Sequence, residues 1–192
     1  MSGDSKSLYF GYGSNLWKHQ MNTRCPENQF LGIARLPDWR WIINTRGYAN
    51  VIPSEGDEVW ALLYELSEAD EMKLDRYEGV PVSYVKQTLP VEYLKKSDGG
   101  DVERQTVDAL VYVDIKSTLT GPPRTEYIFR MNSAIDDALA EGVPKAYIDQ
   151  YLRPRIPVDG PPPDNAKERV RTTIESAIDK LNSISPETQS SV

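Results

Sequence analysis

Apolar positions fall into short, dense runs separated by charged or glycine-bearing stretches. The first run, residues 7–12, is aromatic. It predicts a strand ending at Gly13, with Ser14 or Asn15 capping a short helix through about Thr23. FLGIARLPDWRWII, residues 30–43, predicts two strands, or one strand with a break, because Pro37 cannot donate to a central ladder. NTRGYANVIP predicts a loop and a short strand with its bend at Gly47, and SEGDE, residues 54–58, predicts a turn. VWALLYEL, residues 59–66, is the densest apolar run and predicts a buried strand.

The period then changes. Ser67 stands as a helix N-cap, Asp70 occupies the acidic place of a capping box, and Gly79 lies past the end, so about three helical turns are expected between them. Residues 83–93 and 105–113 predict two further strands, joined by KKSDGGDVE as a hairpin loop. Residues 126–142 predict a helix, and residues 144–153 another that opens on Pro144. Strands first and helices late predict an α+β domain rather than alternating βαβ units. There is no internal repeat.

After residue 155 the pattern changes again. IPVDGPPPDNAK predicts an extended proline-rich linker. Ala166, Val170, Ile174, Ile178 and Leu181 form one stripe of an amphipathic helix. Two readings of that helix stay open: it folds back on the domain, or it pairs with a second copy in a homodimer. Its polar face mixes both signs, which argues against a membrane surface. The division expected is a domain at 1–155 and a tail at 156–192.

Composition narrows the chemistry. At 192 residues, 39% hydrophobic and 27% charged, the chain suits one globular domain with a tail, and no apolar run reaches membrane-spanning length. MSGDSKSLYF carries no apolar signal-peptide core, so a cytoplasmic, reducing setting is expected. One cysteine, Cys25, precludes an internal disulfide. One histidine, His19, in a surface helix, leaves no His/Cys cluster for a metal and no Ser-His-Asp arrangement elsewhere. The net charge of −7 argues against a nucleic-acid partner.

One stretch stands out: YFGYGSNL, residues 9–16. A glycine-rich turn before a helix exposes backbone N–H groups and favours an anion. The third glycine of a dinucleotide fingerprint is missing, and so is a Walker lysine, so a carboxylate suits it better than a nucleotide phosphate.

YFGYGSNL, GDEVWALLYEL, LDRYEGV and PPRTEYIFRMNSAIDDALAEGVP occur in that order, and together they resemble the γ-glutamylcyclotransferase family over about residues 8–153. The resemblance implies a mixed β-barrel with flanking helices and a cavity at one mouth. It implies a cofactor-independent carbon–nitrogen lyase of the amidine-lyase class, linked to glutathione metabolism. Such an enzyme releases 5-oxoproline and an amine from a γ-glutamyl substrate. It further implies that Glu78 is the catalytic acid and base, and that Tyr9, Phe10, Gly11, Tyr12, Gly13, Ser14 and Tyr127 bind the γ-glutamyl group.

Glu78 has an independent reason to be reactive. It closes the predicted helix, where the dipole disfavours negative charge, and burial behind Tyr77, Val80 and Tyr84 would act in the same direction. Tyr127 also reads as a core aromatic at helical spacing with Ile128 and Met131. Trp41, Asn44, Arg46 and Tyr48 are candidates for the cavity mouth, where Arg46 would meet a carboxylate of the leaving amino acid. Three functions stay open: a cyclotransferase on γ-glutamyl amino acids or amides, a relative acting on specialised metabolites or γ-glutamylamines, and a non-enzymatic binding module.

Overall fold

A computed structural model describes residues 6–96 and 102–159 of the chain. Five strands and three principal helices follow one another as β1 (Ser7–Gly11), α1 (Lys18–Arg24), β2 (Gln29–Ile43), β3 (Ala49–Leu66), α2 (Glu68–Glu78), β4 (Val85–Lys96), β5 (Val102–Val113) and α3 (Thr125–Glu141). The strands take the spatial order β1–β3–β2–β4–β5. Neighbours within that order are antiparallel, and a parallel pairing of Tyr9 with Leu110 joins β1 to β5 and closes the barrel. The mixed α+β barrel expected from the resemblance is therefore what the chain forms.

β3 carries the core. Val59, Ala61, Leu62, Leu63 and Leu66 are fully buried, in keeping with the apolar run that predicted a buried strand. α3 contributes Met131, Ala134, Ile135 and Ala138 to the same core at helical spacing, and ends on Gly142 in the left-handed conformation.

Three local expectations need correction. SEGDE is not a free turn, because β3 runs through it. The register passes from Pro37↔Glu58 to Trp39↔Pro53, so Asp38, at φ 60°, stands opposite residues 54–57. The turn-forming residues make a wide bulge, pinned by Gly56 N–H donating to Asp38 Oδ1 and by Arg40 on Asp57. The same bulge is the break expected near Pro37, and β2 remains one strand. Asp70 does not complete a capping box. Ser67 Oγ accepts from Asp70 N–H as a cap should, but the Asp70 carboxylate accepts from Glu27 N–H at 2.7 Å and pairs with Lys73. Neither Ser14 nor Asn15 caps a helix. They form a single 3-10 turn, Ser14–Leu16, and α1 begins after Trp17 with no side-chain cap.

The helix expected at residues 144–153 is a short α turn, Lys145–Tyr147, that passes into a π turn, Ile148–Leu152. Ile156 is fully buried in the core, and Asn132 donates to Pro157 O. The predicted helix at 166–181 and the apex of the hairpin loop lie outside the described residues. Among the described residues no helix is long and apolar enough to cross a membrane.

Candidate functional site

β1 delivers Tyr9 to the mouth of the barrel, and the chain then turns into the 3-10 segment. A cavity of about 250 Å³ opens at this point. Its floor comes from β1 and the following turn through Tyr9, Tyr12, Gly13, Ser14 and Asn15; Tyr84, Tyr112 and Tyr127 close it from the sides. Glu78 enters from the end of α2. Arg24, Arg46 and Arg130 bring positive charge from three separate elements.

Glu78 owes its position to Gly79. That residue adopts φ 66°, ψ 40°, which a side chain resists, and ends α2 so that the last carboxylate points into the barrel mouth. The Glu78 side chain is 17% exposed. Asn15 Nδ2 donates to Glu78 Oε1 at 3.1 Å, and Arg24 Nη1 lies 3.4 Å from the same oxygen. Burial raises the Glu78 pKa above its ordinary value, while Arg24 and the Asn15 hydrogen bond act in the opposite sense without cancelling it. Of the wall expected, Tyr84 lines the cavity with Glu78, Val80 does not, and Tyr77 is 58% exposed; Tyr9, Tyr12 and Tyr112 join Tyr84 around the carboxyl.

The tyrosine hydroxyls around Glu78 are already engaged. Tyr12 donates to Tyr112 O, Tyr84 donates to Ala49 O at 2.8 Å, and Tyr9 accepts from Asn15 Nδ2 at 2.7 Å. Tyr127 Oη accepts from Ser14 N–H at 3.2 Å and from Ala49 N–H at 3.3 Å. Burial raises the pKa of Tyr9 and Tyr127, so these phenols remain neutral donors and acceptors near neutral pH. A Cβ on Gly13 would stand 3.0 Å from Tyr127 Oη and 3.2 Å from Ala49 Cβ, so only glycine lets the turn approach α3 this closely.

Of the predicted site residues, Glu78, Tyr9, Tyr12, Gly13, Ser14 and Tyr127 meet at this cavity. Phe10 and Gly11 do not line it. Strand alternation turns Phe10, fully buried, into the core, and Gly11 is registered opposite Leu62 beneath Tyr9. Of the mouth candidates, Arg46 and Tyr48 line the cavity. Trp41 and Asn44 are buried behind it, Trp41 Nε1 donating to Tyr12 O and Asn44 Nδ2 to Asp114. Arg46 pairs with the nearly buried Asp114 at 2.8 Å rather than with solvent. His19 is exposed on α1 and lies apart from the cavity lining.

Asn15, Arg24, Tyr112 and Arg130 belong to the lining and were not singled out for the site from the sequence. Arg130 had a readable signal. It follows Tyr127 by one helical turn, so both face the same way, and its guanidinium lies 5.0 Å from the Tyr127 ring centre. Glu126 holds it in a bidentate pair, and Nη1 is 3.4 Å from Ser14 Oγ. Among the described residues no group of His, Cys, Asp and Glu gathers to hold a metal ion.

A buried carboxyl with a raised pKa, a narrow glycine turn and flanking guanidiniums suit proton transfer on a small charged ligand. The sequence profile of the family described as "Gamma-glutamyl cyclotransferase, AIG2-like" matches residues 9–127, from the floor of this cavity to Tyr127. The Bos taurus and Homo sapiens gamma-glutamylcyclotransferases are each 34% identical to the chain, over 90 and 83 residues. Those matches cover 41% and 38% of this chain and 48% and 44% of the relatives, so the chain spans about half the length of the curated proteins it matches. A solved structure of a gamma-glutamyl cyclotransferase superposes with a TM-score of 0.67 at 24% identity, covering 88% of this chain and 99% of the other, which establishes the shared fold. With the profile running through both the glycine turn and the helix that carries Glu78, the chain belongs to the gamma-glutamyl cyclotransferase, AIG2-like family.

Proposed function

We infer that the protein is a γ-glutamylcyclotransferase: it cyclises a γ-glutamyl amide to 5-oxoproline and releases the amine. The observation that carries this reading is the enclosed Glu78 carboxyl, raised in pKa and held beside the glycine turn by Asn15 and Arg24.

In its ionised form Glu78 takes a proton from the substrate α-ammonium. The freed amine attacks the γ-carbonyl carbon, a C–N bond closes a five-membered ring, and the carbonyl oxygen becomes an oxyanion. Collapse breaks the original amide C–N bond as Glu78 returns a proton to the departing nitrogen. The ammonium gives up two protons in becoming the lactam nitrogen, and the leaving nitrogen gains two in becoming an ammonium, so the carboxyl is regenerated. A raised pKa suits a group that must both take and return a proton near neutrality. Because both reacting atoms belong to one molecule, holding the folded substrate supplies much of the rate.

Arg130, next to Ser14 and Tyr127, suits the glutamyl α-carboxylate. Of the turn nitrogens, Ser14 N–H is directed at Tyr127 Oη and Gly11 sits in the β1–β3 ladder, which leaves the backbone N–H groups of Tyr12 and Gly13 as the candidate donors for the oxyanion. A cavity of about 250 Å³ is at the small end for ligand sites, which favours a glutamyl group over a bulkier acyl chain.

The test is incubation of purified protein with γ-glutamyl-alanine and chromatographic detection of 5-oxoproline and alanine. Appearance of both, lost in Glu78→Gln, supports the reading. Absence of 5-oxoproline across a panel of γ-glutamyl amides and amines overturns it.

A further inference from the structure

A second depression, of about 450 Å³, adjoins the cavity. It is lined by Thr23, Arg24, Pro26, Lys73, Arg76 and Tyr77, and Arg24 and Tyr77 belong to both. We propose that this groove is an anion subsite, led by Arg76, that receives the carboxylate of the leaving amino acid or peptide. The proposal rests on the cyclotransferase reading and adds a residue that discriminates between leaving groups.

Position is the first argument. The leaving nitrogen must come within about 3 Å of the Glu78 carboxyl to collect its proton. In an amino-acid leaving group the carboxylate oxygens lie only about 3–4 Å beyond that nitrogen. Whatever is attached to the nitrogen therefore leaves past the immediate neighbours of Glu78. Two of these are Arg24, with Nη1 3.4 Å from Glu78 Oε1, and Tyr77, the preceding residue. These two form the partition between cavity and groove, the Arg24 guanidinium lying 4.9 Å from the Tyr77 ring centre.

Charge is the second argument. The chain carries a net charge of −7, yet the charged side chains lining this groove are all cationic. Lys73, Arg76 and Tyr77 stand at i, i+3 and i+4 on α2 and so share one face. The cations differ in availability. Lys73 is held at 2.9 Å by the buried Asp70, and Arg24 Nη1 is shared between Asn15 and Glu78. Arg76 is exposed and forms no ion pair among the described residues. A guanidinium without a carboxylate partner, beside a path out of an active site, suits bidentate capture of a carboxylate. The other arginine at the rim, Arg46, is already neutralised by Asp114.

The experiment compares two substrates that differ only in that carboxylate, γ-glutamyl-alanine and γ-glutamyl-ethylamide, in wild type, Arg76→Gln and Arg76→Lys. The readout is the ratio of their kcat/KM values. Wild type is expected to prefer the carboxylate-bearing substrate by roughly tenfold, chiefly through KM. Arg76→Gln should bring the ratio to within about twofold of unity, and Arg76→Lys should restore part of it. An unchanged ratio in Arg76→Gln, with the variant's circular dichroism intact, overturns the subsite. If wild type turns over neither compound, the cyclotransferase reading fails on these substrates, and calorimetric titration of the same pair decides the subsite alone. Tighter binding of γ-glutamyl-alanine that depends on Arg76 sustains it, and equal binding or none overturns it.

Discussion

Asn15 and Glu78 lie 63 residues apart in sequence and meet at 3.1 Å, amide to carboxylate. The same Asn15 nitrogen also donates to Tyr9 at 2.7 Å, so one side chain couples the strand, the glycine turn and the end of α2 around the proposed base.

Glu78→Gln keeps the shape of the side chain and removes its ability to carry a proton. We expect 5-oxoproline production to fall by about 10²–10⁴-fold. The variant should fold, which its circular dichroism spectrum will check.

Removing the Asn15 amide should move the titration of Glu78 further upward, because that hydrogen bond favours the ionised carboxyl. In Asn15→Ala the acid limb of kcat/KM against pH should therefore lie at higher pH than in wild type. Arg24→Gln should shift it in the same direction by removing a favourable charge. A pH–rate profile of each variant checks both shifts.

Stability should carry the same signature. Folding raises the Glu78 pKa above the ordinary 4.5. Between the unfolded and folded values the native state binds more protons, so this group makes stability fall as pH rises through that window. Glu78→Gln should abolish the fall, becoming more favourable relative to wild type as pH increases across it. Urea midpoints of both proteins from about pH 4 to about pH 8 test the sign.

Gly13→Ala would force a methyl against Tyr127 Oη and Ala49. We expect a loss of about 1–3 kcal/mol and a loss of activity. Tyr127→Phe alone should cost about 1–3 kcal/mol by leaving Ser14 N–H and Ala49 N–H without their acceptor. Combined, the two should cost less than their sum, since removing the hydroxyl relieves the clash. Denaturant melts of the four proteins measure that coupling.

The bounds of α2 were legible from local signals. The Ser67 cap and the Gly79 stop bound α2 because each acts within one helical turn. Glu78 was legible for the same reason, since its place at the helix end follows from Gly79. The bulge at residues 54–57 was not legible as strand, because its turn-forming residues are held by partners on β2 that local propensity does not reveal. Asn15 illustrates a different limit. A short polar residue after a glycine turn reads as a cap, yet its amide is drawn to Tyr9 and Glu78 by barrel closure, which brings together residues far apart in the chain. Arg24 and Tyr112 escaped notice on the same ground, whereas Arg130 needed only the helical spacing from Tyr127.

The wall of interlocked phenols has a consequence for the speed of recognition. Tyr12, Tyr84 and Tyr127 are each fastened to main-chain groups of another segment, so their rings cannot swing without breaking a buried bond. An arriving guest meets a rigid socket whose outline was fixed when the protein folded, and it sacrifices little of its affinity to reshaping the host. Discrimination at the inner end is then a matter of fit, and adaptability is left to the rim, where Tyr77 and Arg76 are exposed.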